Sequence, residues 1–222
     1  MTLQNENDSP VSEDIIPGSK KLFLFFGGIA GAIGMPPFEF YRASRILQYS
    51  RIFLRDAGQS WYQRGLPGIG EDAHAIGDYL RDKIQESGAS EIIFIGNSMG
   101  GFAALLFCSM LQMGKAIAFS PQTFISREKR HRYGDDRWLE QIERLHKGHT
   151  STDIDDLQPW IGSRFPHMPA RVYVSTSDEL DMHHVNELAA FPNIEVHHFP
   201  DGGHGLVTKL RDDGILTEIL SR

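Results

Sequence analysis

Residues 92–108 read IIFIGNSMGGFAALLFC, and the order of residue types in this stretch decides the fold. Ile92 to Ile95 form a continuous apolar run with no polar alternation, which suits a strand buried on both faces, as the strands of parallel sheets are. Glycines at Gly96, Gly100 and Gly101 then bracket a short polar turn. From Phe102 the chain is apolar again without turn residues, as expected of a buried helix. The spacing G-x-S-x-G over Gly96, Asn97, Ser98, Met99 and Gly100 is weak as a bare pattern, and its setting between strand and helix gives it weight.

Outward from this stretch the same apolar theme recurs. KLFLFF (Lys21 to Phe26), RIFL (Arg51 to Leu54), EIIFIG (Glu91 to Gly96), KAIAFS (Lys115 to Ser120), RVYVS (Arg171 to Ser175) and IEVHHF (Ile194 to Phe199) each read as a strand. Between them lie helical patterns. The clearest runs from Asp72 to Gly88, with Ala73, Ile76, Leu80 and Ile84 at helical spacing, acidic residues in its first turn and a glycine at its end. Further helices are expected from about Phe38 to Leu47, Met99 to Met113, Asp181 to Phe191 and Leu206 to Leu220. Strands alternating with helices in this way predict an α/β fold, a doubly wound and mostly parallel sheet of about six strands. Residues 1–18 are polar and acidic and read as a tail or an edge segment, leaving residues 19–222 as one domain. Residues 121–168 break the rhythm. They begin just after a strand, where α/β enzymes keep their active sites, and suit a lid-like insert over the sheet's carboxyl edge.

The 222 residues are 41% hydrophobic, with a formal net charge of -7. That supports one sizeable core and argues against a nucleic-acid binder, which needs a basic face. The opening MTLQNENDSPVSED lacks the basic start and apolar run of a secretory signal, and no stretch reaches membrane-spanning length. The single cysteine, Cys108, excludes an intrachain disulfide and offers no metal-site spacing. A cytoplasmic protein without membrane association is expected, acting on a small molecule.

Ser98 is the candidate nucleophile. Glycines on either side allow a tight, strained turn that lifts its Oγ above the sheet edge. The helix beginning there directs its free N–H groups at any developing oxyanion, and the N–H of Met99 is the expected donor. At this point the chain resembles the α/β-hydrolases, with GNSMGG matching their nucleophile elbow and the likeness covering roughly residues 20 to 220.

The resemblance implies a serine hydrolase with the chain order nucleophile, acid, histidine. His204, in FPDGGHGLVTKL after the last strand, sits where the family places its histidine. RVYVSTSDELDMHH carries Asp178 just beyond a strand, resembling the segment that bears the family's acid, with Asp181 next in order and Glu179 after it. Asp201 is closer to His204 in sequence but suits shaping the glycine turn. FFGGIAG resembles the family's oxyanion segment, with Phe26 in place of its histidine, and points to Gly28 as the second N–H donor, Ile29 being the alternative. The implied reaction is cleavage of an ester or thioester through an acyl-enzyme on Ser98, with no cofactor. Acyl transfer or thioesterase action on a carrier- or CoA-bound acyl group is the alternative, and a non-catalytic member that only binds is a third.

Rival readings have weaker footing. Gly28, Gly31 and Gly34 with Asp56 have the wrong spacing for a dinucleotide fingerprint, and Met35, Pro36 and Pro37 interrupt the helix it requires. His183, His184, His197 and His198 are paired in a way that suggests metal ligands, yet His197 and His198 occupy adjacent strand positions and point to opposite faces, so no metal is expected. The cluster Arg127, Lys129, Arg130, His131 and Arg132 suits either an anionic substrate or a solvated helix face. Trp61 and Tyr62 suit either a pocket lining or packing beneath the insert.

Overall fold

The computed structural model describes residues 9–29, 38–148, 150 and 153–221. Strand β1 is Val11–Asp14, β2 Lys21–Phe26, β3 Ser50–Leu54, β4 Glu91–Asn97, β5 Lys115–Phe119, β6 Ala170–Ser175 and β7 Ile194–Phe199. They form one seven-stranded sheet in the order β1-β3-β2-β4-β5-β6-β7. Every pairing is parallel except that of β1, which runs antiparallel to β3. The six core strands fall where the apolar runs place them. The seventh lies in the segment read as a tail or edge: Val11 pairs with Leu54 and Asp14 with Arg51, whose side chains also form an ion pair. The first eight residues of that segment lie outside the described residues.

The continuous apolar runs are explained by two cores, one on each face. Along β2, Leu22, Leu24 and Phe26 face one cluster while Phe23 and Phe25 face the other, and along β4 Phe94 and Ile95 divide in the same way. The first face is covered by helices α1 (Ala73–Ser87), α2 (Met99–Leu111), α5 (Leu157–Arg164) and α6 (Glu179–Asn186). The second is covered by α7 (Leu206–Asp212) and α8 (Ile215–Ser221), together with Phe38, Phe40 and Leu47. The N-cap of α1 is Asp72, whose side chain accepts from Ala75 N–H, and the helix ends at a left-handed Gly88.

Two helical expectations are corrected. Phe38 to Leu47 forms turns and one 3-10 turn at Ala43–Ile46, with Phe40 at φ 65°, because its aromatic residues are drawn individually onto the sheet. The single terminal helix is two, separated at Gly214, which has φ 78°. Residues 121–168 hold α3 (Arg127–Tyr133), α4 (Leu139–Lys147) and α5, of which α5 packs on α2 as an ordinary crossover helix would. Residues 149, 151 and 152 of this insert lie outside the described residues, as do Gly31, Gly34, Met35, Pro36 and Pro37.

From β2 the chain moves to β3 on one side and then to β4 on the other, so the strand order reverses between β2 and β4. The crevice beyond the carboxyl ends of those strands is where open α/β sheets bind ligands.

Candidate active site

Ser98 follows the last residue of β4 and immediately precedes α2, at φ 56° and ψ −118°. Such a conformation is sparsely populated for a residue with a side chain, and here the surroundings impose it. The Ser98 N–H donates to Phe119 O at 2.9 Å, and its carbonyl accepts from Phe102 N at 3.0 Å. The flanking glycines are sterically required. A Cβ on Gly96 would lie 1.9 Å from Gly100 O, and one on Gly100 would lie 2.1 Å from Phe26 O.

His204 stands in a 3-10 turn, Gly203–Gly205, between β7 and α7. Its Nε2 lies 2.8 Å from Ser98 Oγ. Its Nδ1 lies 2.8 Å and 2.9 Å from the two oxygens of Asp181. A carboxylate can only accept, so Nδ1 carries the proton and Nε2 is left as an acceptor for the serine hydroxyl. The acid that reaches His204 is therefore Asp181, not the expected Asp178. Asp178 is the N-cap of α6, and its Oδ1 accepts from the Asp181 N–H at 2.9 Å. One turn further on, Asp181 is fully buried and faces the imidazole. Glu179 occupies the first turn of the same helix. Asp201 pairs with Lys209 on the surface.

Asp181 has a second partner, a cation that the sequence reading missed. Arg137 Nη1 donates to Asp181 Oδ1 at 2.8 Å and lies 3.8 Å from Asp178 Oδ1. Its Nε and Nη2 grip Asp135 at 3.1 Å and 2.9 Å. Burial alone would raise the Asp181 carboxyl, but His204 and Arg137 together overcome it and hold the group below its ordinary value. Asp135 continues the chain. Its Oδ2 accepts from His184 Nε2 at 3.0 Å, while His184 Nδ1 accepts the Thr123 N–H at 3.0 Å, which fixes the neutral tautomer. Burial lowers the pKa of His184 despite the neighbouring carboxylate. Burial opposes ionisation of Asp135, yet His184 and Arg137 hold it well below the carboxylate range. In the sequence, RYGDDRW is the only trace of this network, an acidic pair and an arginine beside a tryptophan.

Gly28 follows β2 and borders Ser98, since a Cβ built on it would lie 3.6 Å from Ser98 Cβ. Its N–H is engaged by Glu39 Oε2 at 2.8 Å, and Glu39 Oε1 accepts from Asn97 Nδ2 at 3.1 Å. Burial pushes the Glu39 carboxyl up, against the lowering effect of these hydrogen bonds. Nothing in the loop around Glu39 marks it in the sequence. Gly28, Ile29, Glu39, Ser98, Trp138 and His204 line a cavity of about 160 Å³. Met99, the other expected donor, opens α2 beside Ser98.

The remaining candidates are structural. Trp61 and Tyr62 are fully buried; Trp61 Nε1 donates to Gln122 Oε1 at 3.0 Å, and Tyr62 OH lies 3.1 Å from both Gly27 O and Leu54 O. Asp56 accepts from Ser60 and Tyr62 N–H groups and so organises its own loop. In the basic cluster, Arg127 pairs with Glu143, Lys129 with Asp156 and Glu187, and Arg132 with Glu128, while Arg130 is buried near Asp135. His183 stacks on Tyr133 and His197 on Tyr173. Among the described residues, the group spaced to hold a metal ion is Asp178, Asp181 and His204, and its members are already engaged with helix cap, arginine and serine. No helix among the described residues is long and apolar enough to cross a membrane.

Residues 55–211, well over half of the chain, match the alpha/beta hydrolase family. The chain belongs to that family. A search of curated protein sequences finds no match. Among solved structures, this alpha/beta hydrolase is similar to the capsule O-acetyltransferase of Neisseria meningitidis serogroup A, with a TM-score of 0.70 at 15% identity, covering 96% of this chain and 92% of that one. It is also similar to a thermophilic esterase from Thermogutta terrifontis, with a TM-score of 0.58 at 16% identity, covering 94% and 91%. A third likeness is to an esterase from Pyrobaculum calidifontis, with a TM-score of 0.61 at 15% identity, covering 97% and 85%. At these identities the likeness concerns the fold.

Proposed function

We propose that this protein is a serine hydrolase that cleaves a carboxylic ester or thioester through an acyl-enzyme on Ser98. The observation that carries the reading is the chain of hydrogen bonds from Ser98 Oγ through His204 to Asp181, at 2.8 Å on both sides of the imidazole. A hydroxyl is a poor nucleophile at neutral pH and needs a base within hydrogen-bond reach. His204 Nε2 takes the Ser98 proton as Oγ attacks the acyl carbonyl carbon. Asp181 keeps the Nδ1 proton in place and stabilises the imidazolium. The oxyanion is held by the N–H groups of Met99 and Gly28, the latter given up by one Glu39 oxygen while Asn97 Nδ2 keeps hold of the other. His204 then protonates the leaving alcohol or thiol. Water, deprotonated by the same Nε2, attacks the acyl-enzyme carbonyl, and His204 returns that proton to Ser98 Oγ as the carboxylic acid leaves.

The decisive experiment is labelling with a serine-reactive fluorophosphonate followed by peptide mass mapping. The adduct is expected on Ser98 and absent from Ser98→Ala. Wild-type protein that stays unlabelled and cleaves no p-nitrophenyl ester or acyl-CoA thioester would overturn the reading. The likeness to a capsule O-acetyltransferase over nearly the full length of both chains favours a second reading, in which an alcohol replaces water in the second step. Product analysis with and without added polyol separates the two, since transfer produces an acylated alcohol and hydrolysis a free acid.

A further inference from the structure

We propose that Glu39 sets the length of the acyl chain that the Ser98 site accepts, restricting it to short groups. This rests on the acyl-enzyme chemistry proposed above. The cavity at Ser98, about 160 Å³, is separated by Glu39 from a larger one of about 290 Å³. Glu39, Val207 and Thr208 line both, so these side chains form the partition. Beyond it most of the exposed wall is apolar, from Phe38, Phe40, Tyr41, Ala43 and Leu216, with Arg42 and Arg211 also lining the space. An apolar space of that kind suits a hydrocarbon chain.

The partition is fixed by its own bonds. Gly28 N–H and Asn97 Nδ2 hold one carboxylate oxygen each, at 2.8 Å and 3.1 Å. Both donors belong to the segments that flank Ser98, so the carboxylate sits where an acyl chain would leave the nucleophile. Methylenes pressed against it would strip a hydrogen-bonded carboxyl group of polar surroundings without replacing them, which is costly. An acetyl group ends before that point. A chain of six or eight carbons would have to pass through it. Removing the carboxylate joins the two cavities and frees the Gly28 N–H in the same change.

The test compares kcat/KM for p-nitrophenyl acetate, butyrate, hexanoate and octanoate in wild type, Glu39→Ala and Glu39→Gln, with the fluorophosphonate label and melting temperature measured alongside. In wild type, kcat/KM is expected to fall steeply beyond butyrate. In Glu39→Ala the octanoate-to-acetate ratio is expected to rise roughly tenfold or more, the scale of a methylene's worth of pocket discrimination. Glu39→Gln, equal in size and still hydrogen-bonding, is expected to keep the wild-type order. A labelled, active Glu39→Ala with the wild-type ratio overturns the proposal, and Glu39→Ser replaces it if the alanine variant does not fold. Wild type that cleaves octanoate as well as acetate overturns it without any variant. Absence of labelling and of all esterase activity in wild type is the separate failure, that of the acyl-enzyme reading.

Discussion

Asp178 and Asp181 lie in the same stretch, yet they have different partners, and the difference is testable. Asp181 alone hydrogen-bonds to His204, so Asp181→Asn is expected to lose the correct tautomer and reduce kcat by roughly 10⁴-fold, as loss of a triad acid does. Asp178→Asn keeps a capable N-cap side chain and should leave kcat within a few-fold, and Asp178→Ala should cost about 1 kcal/mol of stability. Steady-state kinetics and urea midpoints for the three variants check both statements. The choice between these acids was open to a sharper reading. SDELD has the form of a helix start with an acidic residue three places after its cap, and a cap side chain is committed to backbone N–H groups. Arg137 acts on the same carboxylate. The groups facing it are Asp135, Asp178, Asp181 and the His204 ring. Arg137→Gln removes the guanidinium that helps hold the Asp181 carboxyl below its ordinary value and fixes its position beside His204. A roughly tenfold fall in kcat with KM little changed is expected from steady-state kinetics, and an unchanged kcat in a folded variant would assign Arg137 to structure alone.

At the scale of elements, the turn between β4 and α2 is held by backbone crowding and not by side chains. Gly100→Ala would place a Cβ 2.1 Å from the Phe26 carbonyl, where neither atom belongs to a flexible side chain. About 3 kcal/mol of destabilisation is expected, read as a shift in the urea midpoint, together with loss of fluorophosphonate labelling as Ser98 moves. Strands were legible because a strand buried on both faces needs apolar residues at every position, and only elements of this kind carry that signal. Phe38 to Leu47 misled for the opposite reason: Phe38, Phe40 and Leu47 serve the second core one by one, so their spacing follows the sheet surface and not a helix period. That Ser98, His204 and Gly28 meet at one crevice was legible from their positions relative to strands. Glu39 and Arg137 were not, because they reach the site from loops whose path depends on tertiary packing.

The whole molecule ties its insert to the crevice at Ser98 through buried charge, and this sets how it should respond to acid. His184 is fully buried and neutral, with its pKa lowered from 6.5, so the unfolded chain binds a proton there that the folded chain refuses. Stability from such a group is present above its unfolded pKa and lost as pH falls below it. Asp135 is lowered from 3.8 by His184 and Arg137, so its contribution is intact above that value and lost as pH falls through its folded pKa. Asp181 follows the same sign. The urea midpoint is therefore expected to begin falling near pH 6.5 and to fall more steeply below about pH 4, with no compensating gain from these groups. Asp135→Asn removes the carboxylate that titrates and weakens the grip on Arg137 and His184. That variant should be less stable than wild type at pH 7 and should lose less further stability between pH 5 and pH 3. Equal slopes for the two proteins over that interval would show that Asp135 does not link the insert's stability to pH.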